Sequence, residues 1–257
     1  MSEESLISSR ERCVTGIAGL DNILTGGVPR GNTILITGSC GTGKTTMSLE
    51  YLVRGALDNE KTLYISVTES SKKLLNNMIL YEFFDRKLIE DKKMIFIDLP
   101  DEYEKLGLKK LQFTLDDIDI LVNDIIKTVN ELNIKRLVID SITSICYRLR
   151  GEEEIREFIL RLSKGLSDLN CTTFLISEIL MSSKGGYSQY GVEEAIADGI
   201  VVLGNLERKG DLLRTLQVVK MRGTTHSRAK YVLDLTSIGV LLVPLLKGSG
   251  TTASGGA

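Results

Sequence analysis

A short glycine-rich segment has the spacing of a phosphate-binding loop. Residues 38–45 read GSCGTGKT and match the pattern G-x-x-x-x-G-K-[ST]. In such a loop, backbone N–H groups surround phosphate oxygens, the lysine (Lys44) reaches the β- and γ-phosphates, and the hydroxyl of Thr45 ligates Mg²⁺. We expect the nucleotide to be contacted by Ser39, Cys40, Gly41, Thr42, Gly43, Lys44, Thr45 and Thr46.

The segments on either side of this loop support the same interpretation. An apolar run, TILIT, precedes the loop, and MSLEYLVRGAL, with apolar residues at helical spacing, follows it. A strand, a glycine-rich loop and a helix in this order place the positive end of the helix dipole beside the anion. The alternative, a glycine-rich turn that matches by chance, does not require this context.

Two acidic residues follow other predicted strands. Asp140 ends RLVID, where a carboxylate beside the loop can hold Mg²⁺ through water, although an Asp there could also cap the next turn. Glu69 follows TLYISVT and is the candidate base for the attacking water. The alternative for Glu69 is to cap or solvate the helix that begins near Ser70.

A second set of basic residues lies far along the chain, in VVKMRGTTHS. Lys220 and Arg222 are separated by one residue on a predicted strand, so they share a face while Met221 points to the other. Two cations on one face suit an anionic target, although basic pairs on strands are commonly just solvated. His226, the single histidine of the chain, follows closely.

Hydrophobic periodicity predicts an α/β fold that positions these residues. Strands and helices alternate up to about residue 178, which indicates right-handed βαβ units and a mainly parallel sheet with helices on both faces. After residue 198 short strands follow one another, which indicates an antiparallel extension. The predicted strands are 33–38, 62–67, 93–98, 136–140, 171–177, 199–204, 212–221, 229–234 and 238–243. The predicted helices are 18–24, 44–57, 70–84, 116–132 and 151–168.

Composition limits the class of protein. A net charge of −2 argues against a protein that mainly neutralises nucleic-acid phosphates, so nucleic acid is not an expected partner. The four cysteines are scattered without zinc spacing. No apolar run approaches the roughly 20 residues of a membrane span, and the N-terminus is polar, so we expect a cytoplasmic protein. Residues 1–246 are predicted to form one domain, and 247–257 a flexible tail.

A polar, glycine-containing loop begins near Met181. Its length suggests a functional or mobile segment. Lys184, Tyr187 and Tyr190 could contact a nucleic-acid strand through charge and stacking, but an ordinary surface loop accounts for the same residues.

Four motifs in one order resemble the KaiC family of RecA-like ATPases. They are TGIAGLDNILTGGVPRGNTILITGSCGTGKTT, RLVIDS, YGVEEAIAD and KMRGTTH, and the resemblance runs from about Val14 to Pro244. It implies a single-domain KaiC-like protein that forms a hexameric ring and binds ATP with Mg²⁺ between neighbours. It also implies that Lys220 and Arg222 reach the γ-phosphate of the neighbouring subunit, and that Met221, Thr224 and His226 lie at the nucleotide.

This sequence departs from the family pattern at two places. Where KaiC has adjacent glutamates, this chain has Thr68-Glu69, which predicts slow turnover or a nucleotide-gated switch. Glu194 and Ala195 occupy the positions where the C-terminal half of KaiC phosphorylates itself, and neither can accept a phosphoryl group. Autophosphorylation at that site is therefore not expected.

Three functions compete at this level. The first is a slow, ring-forming, Mg²⁺-dependent ATPase with a timer or signalling role and a protein signalling partner, in which Lys44, Glu69, Lys220 and Arg222 are catalytic and Thr45 and Asp140 hold the metal. The second is a RecA-like DNA motor. The third is a non-hydrolysing scaffold that binds a partner when loaded with nucleotide.

Overall fold

In the computed structural model, which describes residues 11–179 and 186–245, the protein is built on a nine-stranded sheet. A separate two-stranded ladder, β1–β2, precedes it. The strands are β1 (Arg12–Cys13), β2 (Val28–Pro29), β3 (Thr33–Gly38), β4 (Thr62–Ser66), β5 (Met94–Asp98), β6 (Arg136–Asp140), β7 (Thr172–Glu178), β8 (Gly199–Arg208), β9 (Asp211–Met221), β10 (Lys230–Thr236) and β11 (Gly239–Pro244).

The helices connect these strands and cover both faces of the sheet. They are α1 (Leu20–Ile23), α2 (Lys44–Leu57), α3 (Ser71–Met78), α4 (Lys87–Glu90), α5 (Leu99–Lys105), α6 (Leu115–Glu131), α7 (Ile142–Cys146), α8 (Glu152–Asp168) and α9 (Val192–Ile196). No helix among the described residues is long and apolar enough to span a bilayer.

The strand order confirms the predicted α/β fold. Across the sheet the strands run β11-β10-β9-β8-β3-β7-β6-β4-β5. The six strands from β8 to β5 are parallel, and β9, β10 and β11 continue the sheet in antiparallel pairs. All six residues of β3 are buried, as expected for a parallel strand with helices on both faces. The carboxyl ends of β3, β7, β6 and β4 therefore meet at one edge.

Two apolar cores lie on opposite faces of the sheet. Because successive side chains of a strand alternate in direction, Ile34 and Ile36 pack with α2 while Leu35 packs with α6 and α8. The buried carboxylate of Glu50 also ties α2 to the C-terminal hairpin, since its Oε2 accepts the Val240 N–H at 2.6 Å. These contacts fix the helix that follows the glycine-rich loop.

The structure differs from the predicted elements mainly in short segments. The predicted helix 70–84 ends at Met78, because the chain turns there and the Glu82 N–H donates to the carbonyl of Ser237 at 2.7 Å. The ladder β1–β2 and the helices α4, α5, α7 and α9 were not predicted, since none has more than seven residues and so none shows a clear period.

Candidate nucleotide site

The glycine-rich loop joins β3 to α2 at the carboxyl edge of the sheet. Gly41 and Gly43 have φ of +78° and +97°, in the left-handed region that side chains other than glycine rarely adopt. Gly43 is also the residue before the first turn of α2, so the N–H groups of that turn point into the loop. This geometry suits an anion, which is the ligand that the sequence predicted for this segment.

The Lys44 side chain folds back onto the loop and binds its backbone. Its Nζ donates to the carbonyls of Gly38 at 2.7 Å and Ser39 at 2.8 Å. Burial lowers the pKa of the Lys44 ammonium, and the carboxylates of Glu178 and Asp140 oppose that shift. The ammonium is therefore held over the loop by neutral acceptors, whereas phosphate oxygens would give it charge-assisted hydrogen bonds.

Thr45 and Asp140 meet as predicted for a metal site. The Thr45 Oγ1 donates to Asp140 Oδ2 at 2.7 Å, and the phenol of Tyr64 donates to the same oxygen at 2.6 Å. Hydroxyl and carboxylate oxygens are ligands of the type that Mg²⁺ prefers. Because the Thr45 hydroxyl donates a hydrogen bond to Asp140, the lone pairs of its oxygen are left for a cation. This donor set fits Mg²⁺ bound together with phosphate and water.

The loop borders a polar cavity of about 270 Å³. It is lined by Cys40, Gly41, Thr42, Gly43, Lys44, Thr45, Thr46, Asp140, Glu178 and Leu235. Glu178 was not predicted as a site residue. It ends β7 directly beside Gly38 of β3, and an acidic residue after a predicted strand, the signal that identified Asp140, could have revealed it.

Glu69 lies on the other side of the loop. It lines a cavity of about 390 Å³ together with Thr45 and Thr46, and its carboxylate pairs with Lys73 at 2.8 Å. The predicted alternative, a cap on α3, is provided by Asp98 instead, which accepts the Ser71 N–H at 2.8 Å. The Glu69 carboxylate therefore does not cap α3, but its ion pair with Lys73 joins it to the first turn of that helix, as the solvating alternative predicted.

Lys220 and Arg222 lie at the opposite edge of the sheet. Met221 pairs with Gly199 of β8, and Gly199 pairs with Ile34 near the start of β3. The loop begins four residues further along β3, at Gly38, which places the two basic side chains roughly 13 Å or more from their own loop at about 3.3 Å per residue. The structure therefore does not bring them to the nucleotide site of the same chain.

Both basic side chains bind the end of α9. Lys220 Nζ donates to the carbonyls of Glu194 at 3.0 Å and Ala197 at 2.7 Å. Arg222 donates to the carbonyls of Ala195 and Ile196 and approaches Asp198 Oδ1 at 3.5 Å. Burial, and then the Arg222 charge, lower the pKa of Lys220. Carbonyls at a helix C-terminus attract cations, so this arrangement holds both side chains against their own subunit.

The other residues predicted at the nucleotide lie close to Lys220 and Arg222, away from the loop of their own chain. The hydroxyls of Thr224 and Thr25 are 2.9 Å apart, which joins this segment to the end of α1. His226 is partly buried, and its Nε2 has no hydrogen-bond partner among the described residues. Met221 is buried on the other face of β9.

The predicted polar loop is only partly described. Tyr190 packs edge-on against Tyr147, and the carbonyl of Tyr187 accepts a hydrogen bond from Thr37. Lys184 and the tail 247–257 lie outside the described residues. The two tyrosines thus contact the body of the protein, and Tyr187 links this loop to the end of β3.

Known proteins share the sequence and this architecture. The sequence model of the family described as "ATPase: KaiC" matches residues 13–247. The UPF0273 protein PF1931 of Pyrococcus furiosus is 32% identical over 91% of this chain and 94% of its own length. A circadian clock oscillator protein KaiC from Acaryochloris marina is 29% identical over 91% of this chain, which spans 44% of that protein.

A solved structure has the same fold. The crystal structure of the KaiC-like protein PH0186 from Pyrococcus horikoshii OT3 superimposes with a TM-score of 0.77 at 33% identity, over 92% of this chain and 100% of that one. The family match extends over the loop, the Thr45–Asp140 contact and the basic residues of β9 alike. The chain therefore belongs to the KaiC family of RecA-like ATPases.

Proposed function

We propose that this protein is a Mg²⁺-dependent ATPase that forms a ring in which each site is completed by the neighbouring subunit. The proposal rests on one observation: the residues that would form a complete site lie in two groups at opposite edges of the sheet. Lys44, Thr45 and Asp140 lie at one edge of the sheet, and Lys220 and Arg222 lie at the other. A head-to-tail contact between identical subunits would join the two halves, and such a contact generates a ring when the rotation between subunits closes.

In the proposed reaction, each residue of the first half has one task. The loop N–H groups and Lys44 bind the β- and γ-phosphates, and Thr45 and Asp140 hold Mg²⁺, which neutralises charge on the phosphates when bound. Glu69 orients the attacking water and accepts its proton. Glu69 would have to exchange its contact with Lys73 for this water, and the partial exposure of both side chains permits that exchange.

The second half stabilises charge on the transferred phosphoryl group. Lys220 and Arg222 would leave the α9 carbonyls for the γ-phosphate of the neighbour, exchanging neutral acceptors for an anion. An arginine supplied across an interface in this way accelerates phosphoryl transfer by about 10³- to 10⁵-fold. Met221, Thr224 and His226 would accompany the two cations to that interface.

The biological output we propose is slow signalling or timing, with a ring of six subunits. The support is the membership of the KaiC family, one of whose members is named a circadian clock oscillator protein. Thr68, in place of a second carboxylate, removes one group that could activate water, which favours slow turnover. Glu194 and Ala195 offer no phosphoryl acceptor, so the output would depend on the bound nucleotide and on a protein partner.

A complementation experiment tests the shared site. Lys44→Ala disables the loop and leaves the basic residues intact, whereas Arg222→Ala does the reverse. Each variant alone should lose nearly all ATP turnover, and an equal mixture should recover about a quarter of wild-type turnover if subunits assemble at random. A mixture of Lys44→Ala with Lys44→Ala,Arg222→Ala is the control, since none of its sites can be complete. Absence of recovery in mixed rings, confirmed as mixed by native mass, would contradict the proposal.

A non-hydrolysing scaffold is the second candidate. It is favoured by the ion pair that holds Glu69 to Lys73 and by the missing carboxylate at Thr68. Tight ATP binding without turnover at any protein concentration, together with ATP-dependent capture of a partner protein, would select this function instead.

A further inference from the structure

A buried tyrosine contacts the proposed metal-binding carboxylate from the neighbouring strand. Tyr64 of β4 lies beside β6, and its phenol donates to Asp140 Oδ2 at 2.6 Å. Only 1% of Tyr64 is exposed, and its ring packs against Phe96 with the centroids 5.5 Å apart. The phenol therefore has a fixed direction, and Asp140 is its partner.

Two donors converge on a single oxygen of Asp140. Thr45 and Tyr64 both donate to Oδ2, whereas no described residue donates to Oδ1. Two hydrogen bonds to one oxygen fix the rotation of the carboxylate. They leave Oδ1 for water, and they keep the Thr45 proton directed at Asp140, so that the Thr45 oxygen can accept a cation.

The phenol reaches Asp140 as a neutral hydrogen-bond donor. A neutral donor beside a carboxylate orients that group without competing with a cation for charge. Removing a group that hydrogen-bonds to a metal ligand typically changes metal affinity or activity by about 10- to 100-fold.

We propose that Tyr64 is a positioning residue for Mg²⁺, which sets the orientation of Asp140 and of the Thr45 hydroxyl. This inference rests on the proposed function, because it concerns the metal of the same site. Tyr64 itself touches neither nucleotide nor metal. Its effect is transmitted through Asp140.

The test is the Mg²⁺ dependence of nucleotide binding in Tyr64→Phe. Phenylalanine keeps the ring packed on Phe96 and removes only the donor. A fluorescent ATP analogue is titrated at increasing Mg²⁺ and, separately, in EDTA. We expect the Mg²⁺ concentration for half-maximal binding to rise about tenfold, with binding in EDTA unchanged.

Two control variants separate positioning from stability. Tyr51 is also fully buried, but its phenol donates to the carbonyl of Thr172 at 3.1 Å, away from the site, so Tyr51→Phe should retain the wild-type Mg²⁺ midpoint. Asp140→Ala removes the carboxylate through which Tyr64 acts, and Tyr64→Phe should add no further shift in that background. Thermal denaturation of each variant monitors folding.

The outcomes distinguish this inference from the function on which it rests. A wild-type Mg²⁺ midpoint in Tyr64→Phe, or an equal loss of binding with Mg²⁺ and in EDTA, would overturn the positioning role while the ATPase proposal stands. If nucleotide binding by the wild-type protein does not respond to Mg²⁺, both fail. A midpoint that Tyr64→Phe raises in the wild-type background but not in the Asp140→Ala background supports the inference.

Discussion

At the scale of single residues, two glutamates at the carboxyl edge could serve the attacking water, and their surroundings differ. Glu69 shares a cavity with Thr45 and Thr46, and its carboxylate pairs with the exposed ammonium of Lys73. Glu178 stands beside the loop and acts electrostatically on Lys44. Glu178 compensates the charge of Lys44, which lies in the phosphate loop, whereas Glu69 is paired with the exposed Lys73, a contact that it can exchange for water. We therefore propose Glu69 as the base.

Glu69→Gln should lower kcat for ATP by about 10²- to 10⁴-fold and leave ATP binding unchanged, because the amide keeps the shape and cannot accept a proton. The measurement is steady-state turnover alongside equilibrium nucleotide binding. Glu104→Gln is the matched control, since Glu104 is a surface carboxylate paired with Lys109. Undiminished turnover in Glu69→Gln would show that the base is assigned wrongly, and Glu178→Gln would then be the next variant.

At the scale of elements, the sequence predicted the parts better than their arrangement. TILITGSCGTGKTT identified β3, the loop and α2, because glycine conformations and helical spacing are local properties. The position of Lys220 and Arg222 could not be predicted in this way. It depends on β8 pairing with β3, because the antiparallel β9 then carries both side chains to the edge away from the loop. The acidic residue at the end of β7 could have suggested Glu178 as a candidate, but its place beside Gly38 follows from the pairing of β7 with β3.

A buried ion cluster fixes the edge of the sheet opposite the loop. Glu60, just before β4, pairs with Arg136 at the start of β6 and with Arg30, which follows β2. Arg136 is 1% exposed, and its guanidinium also donates to the carbonyl of Tyr51 at 3.1 Å. Burial would raise the pKa of Glu60, but hydrogen bonds from Arg30 and Arg136 outweigh it, and the net shift is downward.

Glu60→Gln should therefore destabilise the fold by about 3–5 kcal/mol at pH 7, because it leaves a buried guanidinium without its counter-charge. A lowered folded-state pKa means that Glu60 contributes stability above its ordinary value of 4.5 and loses it as the pH falls through the folded-state value. The difference between variant and wild type should accordingly shrink below pH 4.5. Urea denaturation across pH measures this.

The control for that experiment is Glu131→Gln, whose partner Lys127 is exposed and 3.9 Å away. An exposed pair of this kind contributes at most about 1 kcal/mol, so little change is expected. A Glu60→Gln variant as stable as Glu131→Gln would contradict a structural role for the cluster.

At the scale of the whole molecule, the sheet separates the phosphate loop from the basic pair, Lys220 and Arg222. The phosphate loop stands on one edge, and the basic pair is held by α9 at the other. In the proposed ring, the basic pair of each copy completes the site of its neighbour. Activity should then depend on contact between copies, whereas binding of nucleotide should need only the loop of one copy.

Turnover per subunit should therefore rise with protein concentration and then saturate, because dilution separates the basic pair from the site that it serves. The measurement is ATP turnover over a dilution series, with native mass recorded at each concentration so that the rise can be compared with assembly. Arg222→Ala should assemble over the same range and show no such rise. A constant, nonzero turnover in samples whose native mass is that of a monomer would mean that one chain hydrolyses ATP alone. The basic pair would then have no catalytic task, and its contacts with α9 would be its structural role.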